Sequence, residues 1–318
     1  MITLESVSKR YGSKTVIHEL SFTVGRGEIV GLLGPNGAGK TTTLRMLAGF
    51  TAATSGTVTV DGCDMATDNA RAARAIGYLP ERPPLYDTLN VAAYLRFVAR
   101  AKGVPRAALT AELERVTAAC RLEEVFHREI CQLSKGYRQR LGLAQALLGA
   151  PVVLLLDEPT AALDPAQIQE TRKVIRAFGA EHTVLLSTHI LQEVTLLCHR
   201  VAIIDQGRLL AIDTPDGLRA AHEQAQVVAL QVNGPAAGLR EALIGVDGVA
   251  AVEVAAGPAG APAHAVTCRV DTDADPAPGI ARAVAGRWDL HRLERRRPAL
   301  EDVFLHYVGR RGPGKEAA

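Results

Sequence analysis

"GPNGAGKT", Gly34 to Thr41, decides how the rest of this chain is read. It fits the pattern G-x-x-x-x-G-K-[ST]. It follows the short apolar run "EIVGLLG" (28–34) and opens the helical stretch "KTTTLRMLAG" (40–49). A buried strand, a glycine loop and a helix start are the context in which this motif works. The glycines let the backbone turn its N–H groups inward as an anion nest, and the helix aims its positive end at the same point. Gly34, Pro35, Asn36, Gly37, Ala38, Gly39, Lys40, Thr41 and Thr42 are therefore the candidate phosphate-binding residues. Lys40 is expected to reach the β- and γ-phosphates and the Thr41 hydroxyl a Mg²⁺ ion. An ordinary glycine-rich turn is the plain alternative, and the Lys-Thr pair at the helix start argues against it.

Two further segments complete a site of this kind. "VVLLLDE" (152–158) is an apolar run that delivers Asp157 to the C-terminal end of a strand, where α/β sheets bind ligands. Asp157 is expected to hold Mg²⁺ through water, and Glu158 to polarise an attacking water. "LLSTHI" (185–190) ends another apolar run at His189. A lone histidine is ordinarily structural, but this one caps a strand pointing to the same edge as Asp157, which makes it a candidate γ-phosphate sensor.

The remaining pattern fits this placement. "TVIHELSFTV" alternates, and "GTVTVDG" (56–62) and "IGYLP" (76–80) read as strands. From about residue 86 to 149 the pattern turns helical. "NVAAYLRFVARAKG" is stopped by Gly103, and "PRAALTAELERVTAAC" is expected to be opened by Pro105. Strands then alternate with helices again, which implies a mostly parallel sheet covered on both faces. After residue 220 Ala, Gly and Pro rise, and "AAGPAGAPA" (255–263) reads as a loop. The order there is β-α-β-β-α-β with one more helix, a ferredoxin-like unit. The expected domains are 1–220, with a helical subdomain at about 86–149, then 221–310, and a disordered tail at 311–318.

Composition bounds the alternatives. The chain has 318 residues, 47% hydrophobic and 22% charged, enough to bury a core over two or three domains. A net charge of +2 gives no argument for nucleic acid. The five cysteines form no CxxC pair and read as reduced, buried thiols in a cytosolic protein. No N-terminal signal is visible, and the run "VVLLL" (152–156) is far too short to span a membrane.

With these motifs in this order, the chain resembles the ATP-binding subunits of ABC transporters over roughly residues 2–217. The resemblance implies an ABC-type P-loop NTPase fold with an antiparallel β subdomain and a helical insertion. It implies ATP and Mg²⁺ as ligands, ATP hydrolysis coupled to transport, and a separate integral membrane permease as partner. It also implies a place at the cytoplasmic face of the cell membrane, with no nucleic acid bound. Tyr11 in "KRYGSK" matches the aromatic residue that stacks on adenine. "LSKGYRQR" (133–140) holds the family's signature position, and "AALD" (161–164) its D-loop, with Asp164 at a dimer seam. In "IGYLPERPPLY" (76–86) Glu81 stands where the family usually has Gln. A carboxylate still offers oxygen to Mg²⁺ and adds a charge to the loop that couples to the membrane partner.

A narrower likeness is to the ABC-2-type exporter ATPases, the multidrug-like and gliding-motility-associated subunits. Tyr-Leu-Pro-Glu, the Lys-Gly-Tyr signature and the closing "RRPALEDVFLHYVG" occur together there. In the family two subunits close head to tail, each ATP lying between one P-loop and the other subunit's signature. Ser134, Lys135, Gly136 and Tyr137 would then face the partner's ATP, with a homodimer as the expected assembly. Tyr137 is expected to pack, at the head of a stripe with Leu141, Ala144 and Leu148. The basic run "HRLERRRPALED" (291–302) reads either as a solvated strand edge or as a contact with anionic lipid. The alternative function is a soluble ABC-type ATPase acting on nucleic acid or ribosomes, and a lone P-loop without a heptad array speaks against it. A nucleotide-binding regulator without turnover is a third reading, and the complete set Lys40, Asp157, Glu158 and His189 opposes it.

Overall fold

The structure, a computed structural model, describes residues 1–161, 163–220, 226–257, 264–270, 276–296 and 300–309. It forms two compact units, Met1–Pro215 and Asp216–Ala318. Ala162 of the D-loop, most of the 255–263 loop and the tail from residue 310 lie outside the described residues.

The first unit begins with β1 (Ile2–Tyr11), β2 (Lys14–Val24), β3 (Ile29–Leu33), α1 (Lys40–Leu47), β4 (Ser55–Val60), β5 (Cys63–Asp64), α2 (Asn69–Arg74) and β6 (Ile76–Leu79). A helical region follows, with α3 (Val91–Ala101), α4 (Leu109–Cys120) and α5 (Lys135–Leu147). The unit closes with β7 (Val153–Asp157), α6 (Pro165–Gly179), β8 (Thr183–Thr188), α7 (Leu191–Leu197), β9 (Arg200–Asp205) and β10 (Arg208–Asp213), and α8 (Pro215–Ala220) comes next.

These strands build two sheets. One is antiparallel, in the order β2-β1-β4-β5; the other runs β10-β9-β3-β8-β7-β6 and is parallel except for β10. Every residue of β3, β7 and β8 is buried, which is why these strands read as continuous apolar runs instead of alternating ones. Leu44, Met46 and Leu47 of α1 share one core with Ile2 and Leu4 of β1, Leu20 of β2 and Leu155 of β7. The phosphate-loop helix is thereby wedged among both sheets, and its N-terminus cannot drift.

The helical region positions α5. The Asn90 side chain caps α3 by accepting from the Ala93 N–H at 2.8 Å. At the other end Lys102 donates to the carbonyls of Gln145, Ala146 and Leu148 at 2.9, 3.0 and 3.0 Å, neutralising the negative end of α5. Burial, only partly offset by Glu112, pulls the Lys102 pKa down to about 8. The start of α4 differs from expectation. Pro105–Ala108 is an exposed turn and the helix opens at Leu109. Leu109, Leu113, Val116 and Cys120 form the buried stripe, and nothing packs on the residues before it to hold them helical.

The second unit contains β11 (Gln226–Asn233), α9 (Leu239–Ile244), β12 (Val249–Ala256), β13 (His264–Val270), α10 (Ala277–Val284), β14 (Asp289–Arg296) and α11 (Leu300–Gly309). Its sheet is antiparallel in the order β12-β13-β11-β14, the ferredoxin-like arrangement. Val228, Leu230, Val266 and Cys268 of the sheet pack with Leu239, Leu243, Ile280 and Val284 of the helices. Trp288 seals the end, its Nε1 donating to the Pro235 carbonyl at 2.7 Å. The basic β14 lies at the sheet edge, where Arg292 pairs with Glu294 at 2.8 Å.

One expectation about cysteine is corrected. Cys63, Cys120, Cys198 and Cys268 are buried, but Cys131 is exposed. In the 3-10 turn Ile130–Gln132 it is Ile130 that takes the buried position. No helix among the described residues is long and apolar enough to cross a membrane.

Candidate functional site

The phosphate loop leaves β3 and turns into α1 through two glycines with positive φ, Gly37 at 82° and Gly39 at 104°. A Cβ on Gly39 would lie 2.5 Å from Ile17 Cδ1, so both the backbone angle and the close passage of β2 demand glycine. The first turn of α1 leaves N–H groups that the helix itself cannot satisfy, the usual means of holding an anion at a helix start. Lys40 folds back into this cradle. Its Nζ donates to the Gly34 carbonyl at 2.7 Å and the Pro35 carbonyl at 3.2 Å, and lies 3.8 Å from Glu158 Oε1. Burial pushes its ammonium below the usual lysine range, with Glu158 and Asp157 opposing the shift.

Asp157 ends β7 and is 1% exposed. It accepts from the Ser187 hydroxyl at 2.5 Å and from the Thr41 hydroxyl at 3.2 Å, both on Oδ1. Glu158 follows in the left-handed region, at φ 48°. For a non-glycine residue this costs about 1–2 kcal/mol, and the turn is held by its N–H, which donates to the Ser187 carbonyl at 3.1 Å and to Ser187 Oγ at 3.3 Å. The turn brings the Glu158 carboxylate to His189, whose Nδ1 lies 3.0 and 2.9 Å from its two oxygens. With both carboxylate oxygens facing it, Nδ1 carries the proton in this pair. Lys40, Thr41, Asp157, Glu158 and His189 are thus brought together by hydrogen bonds and ion pairs.

Glu81 is exposed and lines a cavity of about 590 Å³ together with Thr41 and Asp157. A hydroxyl and two carboxyl groups around one opening are hard oxygen donors, which suits Mg²⁺. Among the described residues no three-residue cluster of metal-ligating side chains exists, so such an ion would draw its other ligands from phosphate and water. Tyr11 stands exposed at the end of β1, with Lys9 Nζ 4.9 Å from its ring centre.

The signature segment belongs to a different surface. Ser134 is the N-cap of α5, accepting from the Tyr137 N–H at 3.3 Å. A cap of this type contributes about 1 kcal/mol. Lys135 is exposed, while Gly136 is buried beneath the Gln167 side chain of α6. Asp164 caps α6 by accepting from the Gln167 N–H at 2.9 Å. Among the described residues no hydrogen bond or ion pair joins Ser134–Tyr137 to Gly34–Thr42. Tyr137 departs from expectation. It is half-buried, covered by the Arg140 guanidinium at 4.2 Å, with its hydroxyl donating to Glu124 at 3.3 Å. Leu148 lies just past the end of α5 with extended backbone, yet it is buried, as are Leu141 and Ala144 within the helix.

Sequence reading missed Ser187 and Gln139. Ser187 ties Asp157 to the Glu158 turn. Gln139, 7% exposed in the signature helix, donates to the Pro159 carbonyl at 3.4 Å. The signal for both was a polar residue at an apolar-phase position, Ser187 inside a buried strand and Gln139 four residues before Leu143 on one face of α5.

Comparison with known proteins agrees with this geometry. The family described as ABC transporter matches residues 17–161. The chain is 38% identical to the Nod factor export ATP-binding protein I of Paraburkholderia xenovorans (strain LB400), over 97% of each chain. It is 33% identical to the linearmycin resistance ATP-binding protein LnrL of Bacillus subtilis (strain 168), over 98% of this chain and 99% of that one. A solved structure described as the ATP binding subunit of an ABC transporter superposes with a TM-score of 0.65, at 32% identity, over 70% of this chain and 92% of that one. The chain belongs to the ABC transporter family, as one of its ATP-binding, ATP-hydrolysing subunits.

Proposed function

We propose that this chain energises an exporter of the ABC-2 type from the cytoplasmic face of the cell membrane, as a homodimer bound to a separate permease. The convergence of Lys40, Asp157, Glu158 and His189 on one phosphate loop supports the hydrolytic half of this reading. Relatives named for Nod factor export and linearmycin resistance, matched over nearly the whole chain, support the export half. The same relatives leave the nucleic-acid and ribosome alternative without support.

In this reading Tyr11 stacks on the adenine, and Gly34–Thr42 wrap the phosphates through their N–H groups. Lys40 leaves its two carbonyl partners to meet the β- and γ-phosphates. Thr41, Asp157 and Glu81 hold Mg²⁺, which when bound neutralises charge on the phosphate oxygens. Glu158 takes the proton of the attacking water, and His189, already at its carboxylate, orients it and senses the γ-phosphate. Ser134, Lys135, Gly136, Tyr137 and Asp164 serve the ATP held by the other subunit. The ATPase domain is 1–220, with 86–149 and the Glu81 loop facing the permease. The ferredoxin-like domain, 221–310, is accessory.

Detergent extraction of the tagged chain, with identification of what co-purifies, tests the assembly. The expected companion is an integral membrane protein; recovery of ribosomes or nucleic acid in its place refutes the reading. The trans role of the signature has its own test. Ser134→Arg is expected to leave ATP affinity of the isolated subunit unchanged and to abolish ATP-dependent dimerisation, read by light scattering. A dimer that still forms with ATP removes Ser134 from the clamp.

A further inference from the structure

The paired strands β7 and β8 end their ladder at Asp157 and Ser187. Beyond that point strand pairing no longer sets where Glu158 and His189 stand relative to each other. The Glu158 N–H bond to the Ser187 carbonyl at 3.1 Å is one remaining tie. A second lies deeper. Glu193 on α7 is 1% exposed and takes no part in the arrangement described above. Its Oε1 accepts from the Thr160 hydroxyl, and its Oε2 accepts from the Thr188 hydroxyl at 3.2 Å. Arg172 of α6 approaches Oε1 to 3.9 Å.

Thr160 stands two residues after Glu158, and Thr188 one residue before His189. The Thr188 oxygen already accepts the Ile190 N–H at 3.0 Å, so its own proton is committed to Glu193. A carboxyl group this enclosed is costly unless its oxygens are satisfied. Both hydroxyls are therefore held, and with them the two turns that carry Glu158 and His189.

We propose that Glu193 is a positioning residue for hydrolysis. It clamps the Thr160 and Thr188 turns at the separation where His189 Nδ1 meets the Glu158 carboxylate, and it touches no nucleotide itself. The proposal rests on the reading of Glu158 and His189 as the hydrolytic pair. Displacement of a catalytic group by about 1 Å can cost on the order of 10²-fold in rate, so loosening this clamp registers in turnover before it registers in binding.

The test uses the full chain with Glu193→Gln, Thr160→Val and Thr188→Val, measuring phosphate release at saturating ATP, the ATP dissociation constant and the melting temperature. Each folded variant is expected to lose roughly 10-fold in kcat, with ATP affinity within about threefold of the parent, because the phosphate loop is untouched. The Glu193→Gln/Thr188→Val pair is expected to be no slower than the worse single variant, since both break one clamp. If Glu193→Gln does not fold, the two threonine variants carry the test, Thr160→Val being the cleaner because the Thr188 hydroxyl also accepts the Ile190 N–H. Folded variants with parental kcat, or equal losses in kcat and affinity, overturn the proposal. Glu158→Gln measured alongside separates the two levels. If it stops turnover while the clamp variants do not, only the positioning role fails. If it turns over normally, the assignment of Glu158 fails, and the clamp's purpose with it.

Discussion

Glu158→Gln is expected to bind ATP with near-parental affinity, to lose on the order of 10²- to 10⁴-fold in turnover, the span of a general base, and to accumulate as an ATP-stabilised dimer. Gln keeps the length and shape of the side chain, and its amide oxygen can still accept from His189 Nδ1, which now lies at 2.9 Å from the carboxylate. The ion pair to Lys40, at 3.8 Å, is lost, yet Lys40 keeps its bonds to the Gly34 and Pro35 carbonyls. The left-handed backbone at Glu158 is held by Ser187 through main-chain N–H bonds that any side chain permits. What disappears is the group able to take a proton. Phosphate release, equilibrium ATP binding and size-exclusion chromatography with ATP read the three parts separately. Turnover at the parental rate would exclude Glu158 as the base.

Lys40→Ala is expected to act on binding. A hydrogen bond to a charged group contributes about 1.5–3 kcal/mol, so ATP affinity should fall roughly 10- to 100-fold, with turnover lost at working ATP concentrations. In the ligand-free protein the change removes a buried ammonium but also leaves the Gly34 and Pro35 carbonyls and Glu158 without that partner, so the binding effect is read separately from stability. The sharpest readout is the melting temperature with and without ATP. The parent gains stability as RT ln(1 + [L]/Kd), whereas the variant, measured against its own ligand-free value, should show little gain on adding ATP. An ATP-induced shift equal to the parent's would place the phosphates elsewhere than against Lys40.

Much of this protein is legible in its chain because the relevant rules are local. The phosphate loop announces itself because glycines at 37 and 39 supply the two positive-φ positions and a helix must follow at Lys40. Ser134 and Asp164, which the sequence presented as signature and D-loop positions, also cap α5 and α6. The β-α-β-β-α-β order of the second unit follows from periodicity alone. Local reading failed where burial outweighed a local signal. Pro105 promised a helix start, but the apolar stripe begins at Leu109, and Tyr137 fits an apolar phase but is covered by Arg140.

Most strands and helices, and the residue types at strand ends, follow from backbone geometry and side-chain period, which act within a few residues. Which of them meet is a matter of packing. Strand β8 lies between β3 and β7, so Ser187 reaches Asp157 and the Glu158 turn, while Thr41 reaches Asp157 across a sequence separation of 116. The order of parallel strands is set by how apolar faces are shared among α1 and the two sheets, a property of the whole core. For the same reason Gln139 on Pro159, and Glu193 on Thr160 and Thr188, leave only a faint mark in the sequence. Each is a polar residue whose meaning depends on the buried partner that packing delivers to it.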